Sequence, residues 1–529
     1  MATLNFKGKA FVQNHHLLVK YHQLVPRREK SLTDKVSLHD NLIIHGDNLK
    51  ALKALLPIYA GKVKCIYIDP PYNTGNEKWA YNDNVNSPMM QDWLGKVVDR
   101  EDLTRHDKWL CMMTPRFKLL RELLCEDGTI FVSIDDIEAA KLRLLMDEIF
   151  GEERFIGQFV WKSRQNKDNR NVTRVSIDHE YVICYGKELR GDERNIGQFS
   201  NPDNDPRGPW TSGNMVGLAT QKARPNLHYD LVNSDTGIIY PKPKLGWRYD
   251  RARMQKLMDE DRIIWPPEEG GRPRQKVFLS EFSRKFTGFS SIVGKNIFTR
   301  DGTAEIDAIF GERKFDFPKP SSLIRKFVVQ STEKDSIVLD SFAGSGPTAH
   351  AVLQQNCDDE GTRRFILIEC EDYANDITAE RVRRVIKGVP KTKDEDLKKG
   401  LGGSFSYFEL GPPIEMEAIL SGDNFPSYAD LARYVFYTAT GEEFDESTLD
   451  EKKHFIGESR NYLVYLFYKP DIEYLKATAL TLDKAKALGP YENKRRLVFA
   501  PTKYLDQEHL DELRIDFAQL PFEIYQLVK

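Results

Sequence analysis

Apolar runs of strand length alternate with helical periodicities over two separate stretches of this chain. In the first, "NLIIH" reads as a strand and Gly46-Asp47 as a turn. Leu49, Leu52, Leu55 and Leu56 then fall on one face of a helix. "KVKCIYID" is a second strand. "RHDKWLCMMTPRFKLLRELLCEDG" carries the period of an amphipathic helix closed by Gly128. "TIFVSID" is another strand, "DIEAAKLRLLMDEIFG" a helix closed by Gly151, and "FIGQFVWKS" a strand again. The second stretch runs "PKPSSLIRKFVVQ" (helix), "SIVLD" (strand), "SFAGSGPTAHAVLQQ" (turn and helix), "RRFILIECE" (strand) and "DITAERVRRVIKG" (helix). Such alternation predicts an α/β fold with a parallel sheet covered by helices on both faces.

Between the two stretches the pattern breaks. Residues 163–300 are rich in Asn, Arg, Gly, Pro and aromatics, as in "SRQNKDNRNVTR" and "WPPEEGGRPRQK". That is too long for one loop and predicts an inserted domain. The expected organisation is an arm (1–40), a first core half (41–162), the insertion (163–300), a second core half (301–390) and, after the charged "KTKDEDLKKG", an α+β tail (391–529). A chain of 529 residues exceeds what one core serves.

Composition narrows the class. A hydrophobic share of 40% and a charged share of 30% are those of a soluble globular protein. No apolar run is long enough for a bilayer, and the start lacks the apolar core of a secretory signal, so a cytoplasmic protein is expected. The six cysteines form no C-x-x-C pair and have no histidine at zinc spacing, so no metal site is expected. Charge is uneven. Residues 161–300 hold 25 Lys and Arg against 17 Asp and Glu, an excess of eight positive charges in a chain whose net charge is −3. A basic middle in an acidic chain suits a polyanionic partner, although a solvated surface reads the same way.

Two segments carry candidate chemistry. "IVLDSFAGSGPTAHAV" is a strand, a glycine turn and a helix start. Gly344 and Gly346 remove the Cβ atoms that keep a ligand off the backbone, and Pro347 suits the first helical position. Glu369 ends the following strand, where a carboxylate can hold both hydroxyls of a ribose. Gly344, Gly346 and Ala349 also satisfy the dinucleotide pattern, so a nicotinamide cofactor is a competing reading. Asp340 caps the strand, however, and would repel a pyrophosphate while suiting a cationic ligand. S-adenosylmethionine, with a ribose and an ammonium, is the better match. Phe342, Ala343, Gly344, Ser345 and Gly346 are the expected donor wall.

The second segment is "IYIDPPYNTG". The exocyclic amine of adenine is a poor nucleophile because its lone pair is delocalised into the ring. Acceptors for both N–H groups would localise that pair. Asp69 offers a carboxylate at a strand's C-terminal end and Pro70 a backbone carbonyl. Pro70 and Pro71 stiffen the turn. Tyr72 offers a flat face for a base, which must be flipped out of a duplex to be reached. A proline-stiffened turn with a buried Tyr is the bland alternative.

With both segments in hand, the chain resembles the β-group amino-methylating DNA methyltransferases, and most of all the modification subunits of type III restriction–modification systems. The likeness rests on motif order: Asp69-Pro70-Pro71-Tyr72, then the basic insertion, then "DSFAGSG" at 340–346. Lys319-Pro320 in "FPKPSSLIRKFV" looks like the family's additional cofactor motif, and Gly46-Asp47 like its acidic turn. The resemblance implies a Rossmann-like methyltransferase sheet, adenine N6 as acceptor, S-adenosylmethionine as donor and a target-recognition domain at 163–300. It also implies double-stranded DNA as substrate, a homodimer, and pairing with an ATP-dependent restriction subunit. Asp47 is expected near the donor or the base. Arg164, Arg170, Arg174, Arg207 and Arg224 are candidate DNA contacts. A cytosine-N4 enzyme, a catalytically silent DNA-binding subunit, and an RNA or protein amino-group methyltransferase stay open as alternatives.

Overall fold

The computed structural model describes residues 3–73, 105–167, 175–268, 270–282, 286–390, 392–414, 425–491 and 493–520. The chain divides into two compact units, Met1–Leu189 with Ser290–Lys529, and Arg190–Phe289.

The first unit is built on a ten-stranded sheet. Its strands are β1 (His22–Pro26), β2 (Leu42–His45), β3 (Val63–Ile68), β4 (Leu124–Ile134), β5 (Phe155–Trp161), β6 (Glu180–Gly186), β7 (Ile292–Val293), β8 (Ile337–Asp340), β9 (Arg364–Glu369) and β10 (Ser406–Pro413). They lie in the order β1-β10-β2-β9-β8-β3-β4-β6-β5-β7. The six from β10 to β4 are parallel, as the alternating pattern predicts. Their side chains, such as Ile44, Ile66, Val132, Leu339 and Ile368, are buried, as a sheet covered on both faces requires.

The edges differ from the expectation. β6 runs antiparallel to both β4 and β5, and β1 antiparallel to β10. A parallel return needs a crossover, usually a helix. No helix lies between β5 and β6 among the described residues, so the chain comes back antiparallel. Residues 163–189 and 290–300, expected in the inserted domain, thereby belong to the first unit through β6 and β7. β1 draws part of the expected arm into the sheet, and β10 part of the tail.

Seven helices of this unit bear on the site: α1 (Asn48–Tyr59), α2 (Arg105–Leu123), α3 (Ala139–Phe150), α4 (Thr299–Phe310), α5 (Ser321–Ser331), α6 (Pro347–Asp359) and α7 (Glu380–Lys387). α3 stops at Gly151, whose φ of 95° is open to glycine at little strain. α2, however, stops before Leu124 and not at Gly128. Leu124 already pairs with Val63, so the ladder of β3 takes the chain over and Gly128 lies inside β4.

The rest of the tail forms a four-stranded sheet (Phe455–Glu458, Tyr462–Leu466, Arg495–Ala500, Ile515–Gln519) beside the helix Tyr428–Thr440. It has its own apolar cores. Phe444 N–H donates to the Pro57 carbonyl of α1 at 3.1 Å. No described helix is long and apolar enough to cross a membrane.

The second unit is a small mixed body. A three-stranded sheet joins Ile263–Ile264, Arg274–Phe278 and Trp210–Gly213, and the ribbon Leu231–Val232/Ile239–Tyr240 stands beside the helix Arg251–Asp259. Its core gathers Met215, Tyr229, Trp247, Met254 and Leu257.

Candidate active site

β8 lies beside β3 with Leu339 opposite Ile66, so both strands deliver their C-terminal ends to one edge of the sheet. Brought together there are the turn Asp69–Asn73 and the turn Asp340–Gly346, the place where open α/β sheets bind ligands.

The first turn is held from below. Trp109 of α2, fully buried, donates its indole N–H to the Pro71 carbonyl at 2.7 Å. Asn73 adopts a left-handed φ of 58° and donates to Glu138 Oε1 at 2.6 Å and to the Arg105 carbonyl at 3.2 Å. Among the described residues nothing donates to the Pro70 carbonyl.

Above the turn stands a four-residue charge cluster. Lys319 Nζ donates to Asp69 Oδ1 at 2.9 Å, to Asp69 Oδ2 at 2.8 Å and to the Tyr72 hydroxyl at 2.8 Å. The Tyr72 hydroxyl donates onward to Glu180 Oε2 at 2.8 Å, and Lys319 lies 3.3 Å from that carboxylate. Burial pushes the Asp69 carboxyl up, against the pull of Lys319. Burial also acts on Lys319, but Asp69 and Glu180 outweigh it and hold its ammonium above the ordinary value. Burial, with Asp69 and Glu180, keeps Tyr72 neutral.

In the second turn Asp340 is buried. Its Oδ1 accepts from Phe342 N–H at 3.0 Å and its Oδ2 from the Thr348 hydroxyl at 2.5 Å. Burial raises its carboxyl to about 7, with Asp69 and Glu369 adding to the effect. Gly346 has a φ of 80°, and a Cβ there would stand 3.3 Å from the Thr378 carbonyl oxygen. Glu369, only 2% exposed, accepts from Gly344 N–H at 2.7 Å, Cys370 N–H at 2.9 Å and Glu371 N–H at 3.0 Å.

A cavity of about 580 Å³ has both turns in its wall, from Asp69 and Tyr72 at one side to Asp340 and Phe342–Ser345 at the other. The sequence model of a DNA methylase family, that of the N6 and N4 amino-methyltransferases, matches residues 63–380, which contain every residue of that wall. The chain belongs to this DNA methylase family.

Its relatives are of two kinds. The methylase is 31% identical over 474 residues to the type III restriction-modification enzyme StyLTI Mod subunit of Salmonella typhimurium, covering 83% of this chain and 70% of the relative. It is 30% identical over 488 residues to the EcoPI Mod subunit of Escherichia phage P1, covering 80% and 74%. The type II methyltransferase M.KpnI of Klebsiella pneumoniae is 33% identical over 361 residues, covering 64% of this chain and 82% of that enzyme.

The methylase's cavity suits S-adenosylmethionine. One wall offers a glycine turn whose backbone a nucleoside can approach, and the buried Asp340 carboxylate suits a cation. Asp69, Pro70, Pro71 and Tyr72 line the other side.

Of the other expected residues, Lys319 and Arg164 also line the cavity. Lys319, expected on the cofactor side, faces the acceptor carboxylate, because α5 starts beside β3's end. Glu369 sits beneath the glycine turn and not in the cavity wall. Asp47 caps α1 by accepting from Lys50 N–H at 3.1 Å and lies 3.7 Å from Arg116, outside the wall. Arg164 belongs to the first unit and lines the cavity. Arg207 is tied inside the second unit, by Nε to Asp205 at 2.8 Å, by Nη2 to Asp205 at 2.6 Å and by Nη1 to the Glu260 carbonyl at 2.6 Å. Arg224 is exposed. Arg170 and Arg174 lie outside the described residues.

Three buried or cavity-lining charged residues carried no motif that the sequence expectations used. Glu180, at the start of β6 in "DHEYVICYG", had no motif around it. Asp135 lines the cavity just past β4, and burial raises its carboxyl to about 6. Arg381 left a visible signal: it shares the apolar face of α7 with Val382, Val385 and Ile386, and a cation there needs a buried partner.

Proposed function

We propose that this methylase transfers a methyl group from S-adenosylmethionine to N6 of adenine in duplex DNA. The observation that carries the reading is the Asp69–Tyr72 turn facing the Asp340–Ser345 turn across one cavity. Held against the second turn, S-adenosylmethionine supplies an electrophilic methyl group on a sulfonium. Phe342, Ala343, Gly344 and Ser345 form its wall, and Asp340 offsets its positive charge. Glu369 Oε2 braces the turn through Gly344 N–H at 2.7 Å, and the residue lies outside the cavity wall.

On the acceptor side, Asp69 and the Pro70 carbonyl accept the two amine N–H groups and aim the nitrogen's lone pair. Each oxygen of Asp69 keeps acceptor capacity beyond its bond to Lys319, since a carboxylate takes about four hydrogen bonds. Asp69 is placed to take the proton the amine sheds. Tyr72 stacks on the extruded base. In the family the chain resembles, serine is commoner at this position among the cytosine-N4 members, so Asp69 favours adenine.

Duplex DNA is proposed to meet the second unit. Two of its segments, 214–229 and 236–249, are joined by Gly217 N–H to the Gly246 carbonyl at 2.7 Å and Arg248 N–H to the Met215 carbonyl at 2.7 Å. They carry Lys222, Arg224, Lys242, Lys244 and Arg248 and no Asp or Glu. Phosphate contacts of this kind position a protein on DNA. Service as the modification part of a restriction system, with a restriction subunit as partner and a dimeric state, rests on the likeness to the Mod subunits; light scattering on the purified chain tests the dimer.

The deciding experiment is sequencing of modified bases in DNA incubated with the protein and S-adenosylmethionine. Methylated adenine at one recurrent sequence is expected. Methylated cytosine in its place would move the acceptor to N4. Asp69→Ala should abolish transfer while S-adenosylhomocysteine still binds.

A further inference from the structure

We infer that Arg381 is a positioning residue that ties the cofactor turn to the lysine of the acceptor site, so that the two halves are set by one buried network. Arg381 is fully buried on α7. Its Nη1 donates to the Ser345 hydroxyl at 3.0 Å, at the centre of the glycine turn. Its Nη2 donates to Glu305 Oε2 of α4 at 2.9 Å. The same Nη2 lies 3.2 Å from His350 Nδ1 on α6. Burial and the neighbouring guanidinium lower His350 to about 3, so the ring is neutral and that nitrogen is free to accept.

Glu305 carries the connection onward. Its two oxygens accept from Ser321 N–H at 3.1 Å and the Ser321 hydroxyl at 2.9 Å, at the first residue of α5. Lys319 lies two residues earlier and reaches Asp69. Gly302, one turn before Glu305 on α4, lets the same segment lie close. A Cβ at Gly302 would stand 2.1 Å from the Pro318 carbonyl oxygen and 3.0 Å from the Lys319 carbonyl carbon. α4 thus fixes Lys319 in two ways, by a missing side chain and by an anchored helix start, and Arg381 locks α4 to the cofactor turn. A buried ion pair adds little to stability over an apolar pair of the same shape, but in some proteins it specifies one geometry. Here the geometry is the spacing between methyl donor and amine, and a 1 Å error in such spacing can slow a reaction about 100-fold.

The inference rests on the proposed methyl transfer. Its test measures S-adenosylhomocysteine affinity by calorimetry, kcat at saturating cofactor, and the thermal midpoint. Ser345→Ala should weaken cofactor affinity alone, by about tenfold for a lost buried hydrogen bond to a charged group. Gly302→Ala should lower kcat about tenfold or more through misplacement of Lys319, with affinity unchanged. Arg381→Lys and Glu305→Gln should move both quantities together. A folded Arg381→Lys or Glu305→Gln protein that moves only one, or neither, overturns the bridge. Should Arg381→Lys fail to fold, the near-isosteric Glu305→Gln decides. Wild-type protein that methylates no DNA would refute the methyl-transfer reading, while the affinity measurements would still report on the link from Arg381 to Ser345.

Discussion

Lys319 Nζ lies 2.9 and 2.8 Å from the two carboxylate oxygens of Asp69, although 250 residues separate the two along the chain. The lysine side chain is only 10% exposed, and a second carboxylate, Glu180, stands 3.3 Å away. This pair places Lys319 against the proposed acceptor carboxylate. Lys319 pulls the Asp69 carboxyl down against the burial that raises it, and it sets the orientation of both oxygens.

Lys319→Met should therefore raise the Asp69 carboxyl further. A protonated carboxyl gives up acceptor capacity on one oxygen, so the acid limb of the pH profile of kcat/KM should shift to higher pH. A fall in kcat of about 100-fold or more is expected, the scale of losing one preorganised electrostatic partner. An acid limb that stays in place in the variant would show that Lys319 does not govern Asp69.

Tyr72 separates into a face and a hydroxyl. Tyr72→Phe keeps the face but removes the bridge between Lys319 and Glu180. Extrusion of the target base, read by 2-aminopurine fluorescence, should be preserved while kcat falls. Tyr72→Ala should also lose about 1–3 kcal/mol of base stacking. Equal loss of extrusion in both variants would contradict the stacking role.

Asp340 predicts a proton linkage. Burial holds its carboxyl at about 7 in the folded chain, against an ordinary 3.8. A group raised on folding contributes stability that is fully present below pH 3.8 and lost as pH rises through about 7. A cationic ligand placed against it favours the ionised form, so binding should release a proton near pH 7. Calorimetry with S-adenosylmethionine in buffers of different ionisation enthalpy measures that release. Affinity should rise with pH across this range. No proton release with S-adenosylmethionine would remove Asp340 from the cation's surroundings.

The joined segments of the second unit predict a salt effect. Replacing Lys242 and Lys244 by Gln should make the slope of log K against log salt shallower by about 1.8, roughly 0.9 for each phosphate no longer neutralised. Fluorescence anisotropy with a duplex at several salt concentrations gives that slope. An unchanged slope would place the DNA elsewhere.

How much of this was legible follows from what a local pattern reports. Apolar periodicity records which face of one element is buried, and strand ends bearing Asp69 and Asp340 stand out because a carboxylate there interrupts an apolar run. The parallel centre of the sheet, both turns and the chemistry of the DPPY segment are readable on that basis. The bounds of the insertion are not. β6 carries a buried apolar run, Val182–Tyr185, that marks a strand but not which sheet it joins, and so part of 163–300 reads as a separate domain. Arg207 reads as a DNA contact because it is basic, yet its guanidinium is held by Asp205, two residues away, and by the Glu260 carbonyl. Local sequence was enough to single out the two turns, around Asp69–Tyr72 and Asp340–Ser345, that share one cavity wall. Tertiary packing was needed to bring Lys319 to the acceptor, to complete its charge balance with Glu180, and to connect the halves through Arg381. Those meetings depend on the order of strands and the packing of α4, α5 and α7 against them, and no periodicity along the chain encodes which side chains meet across elements.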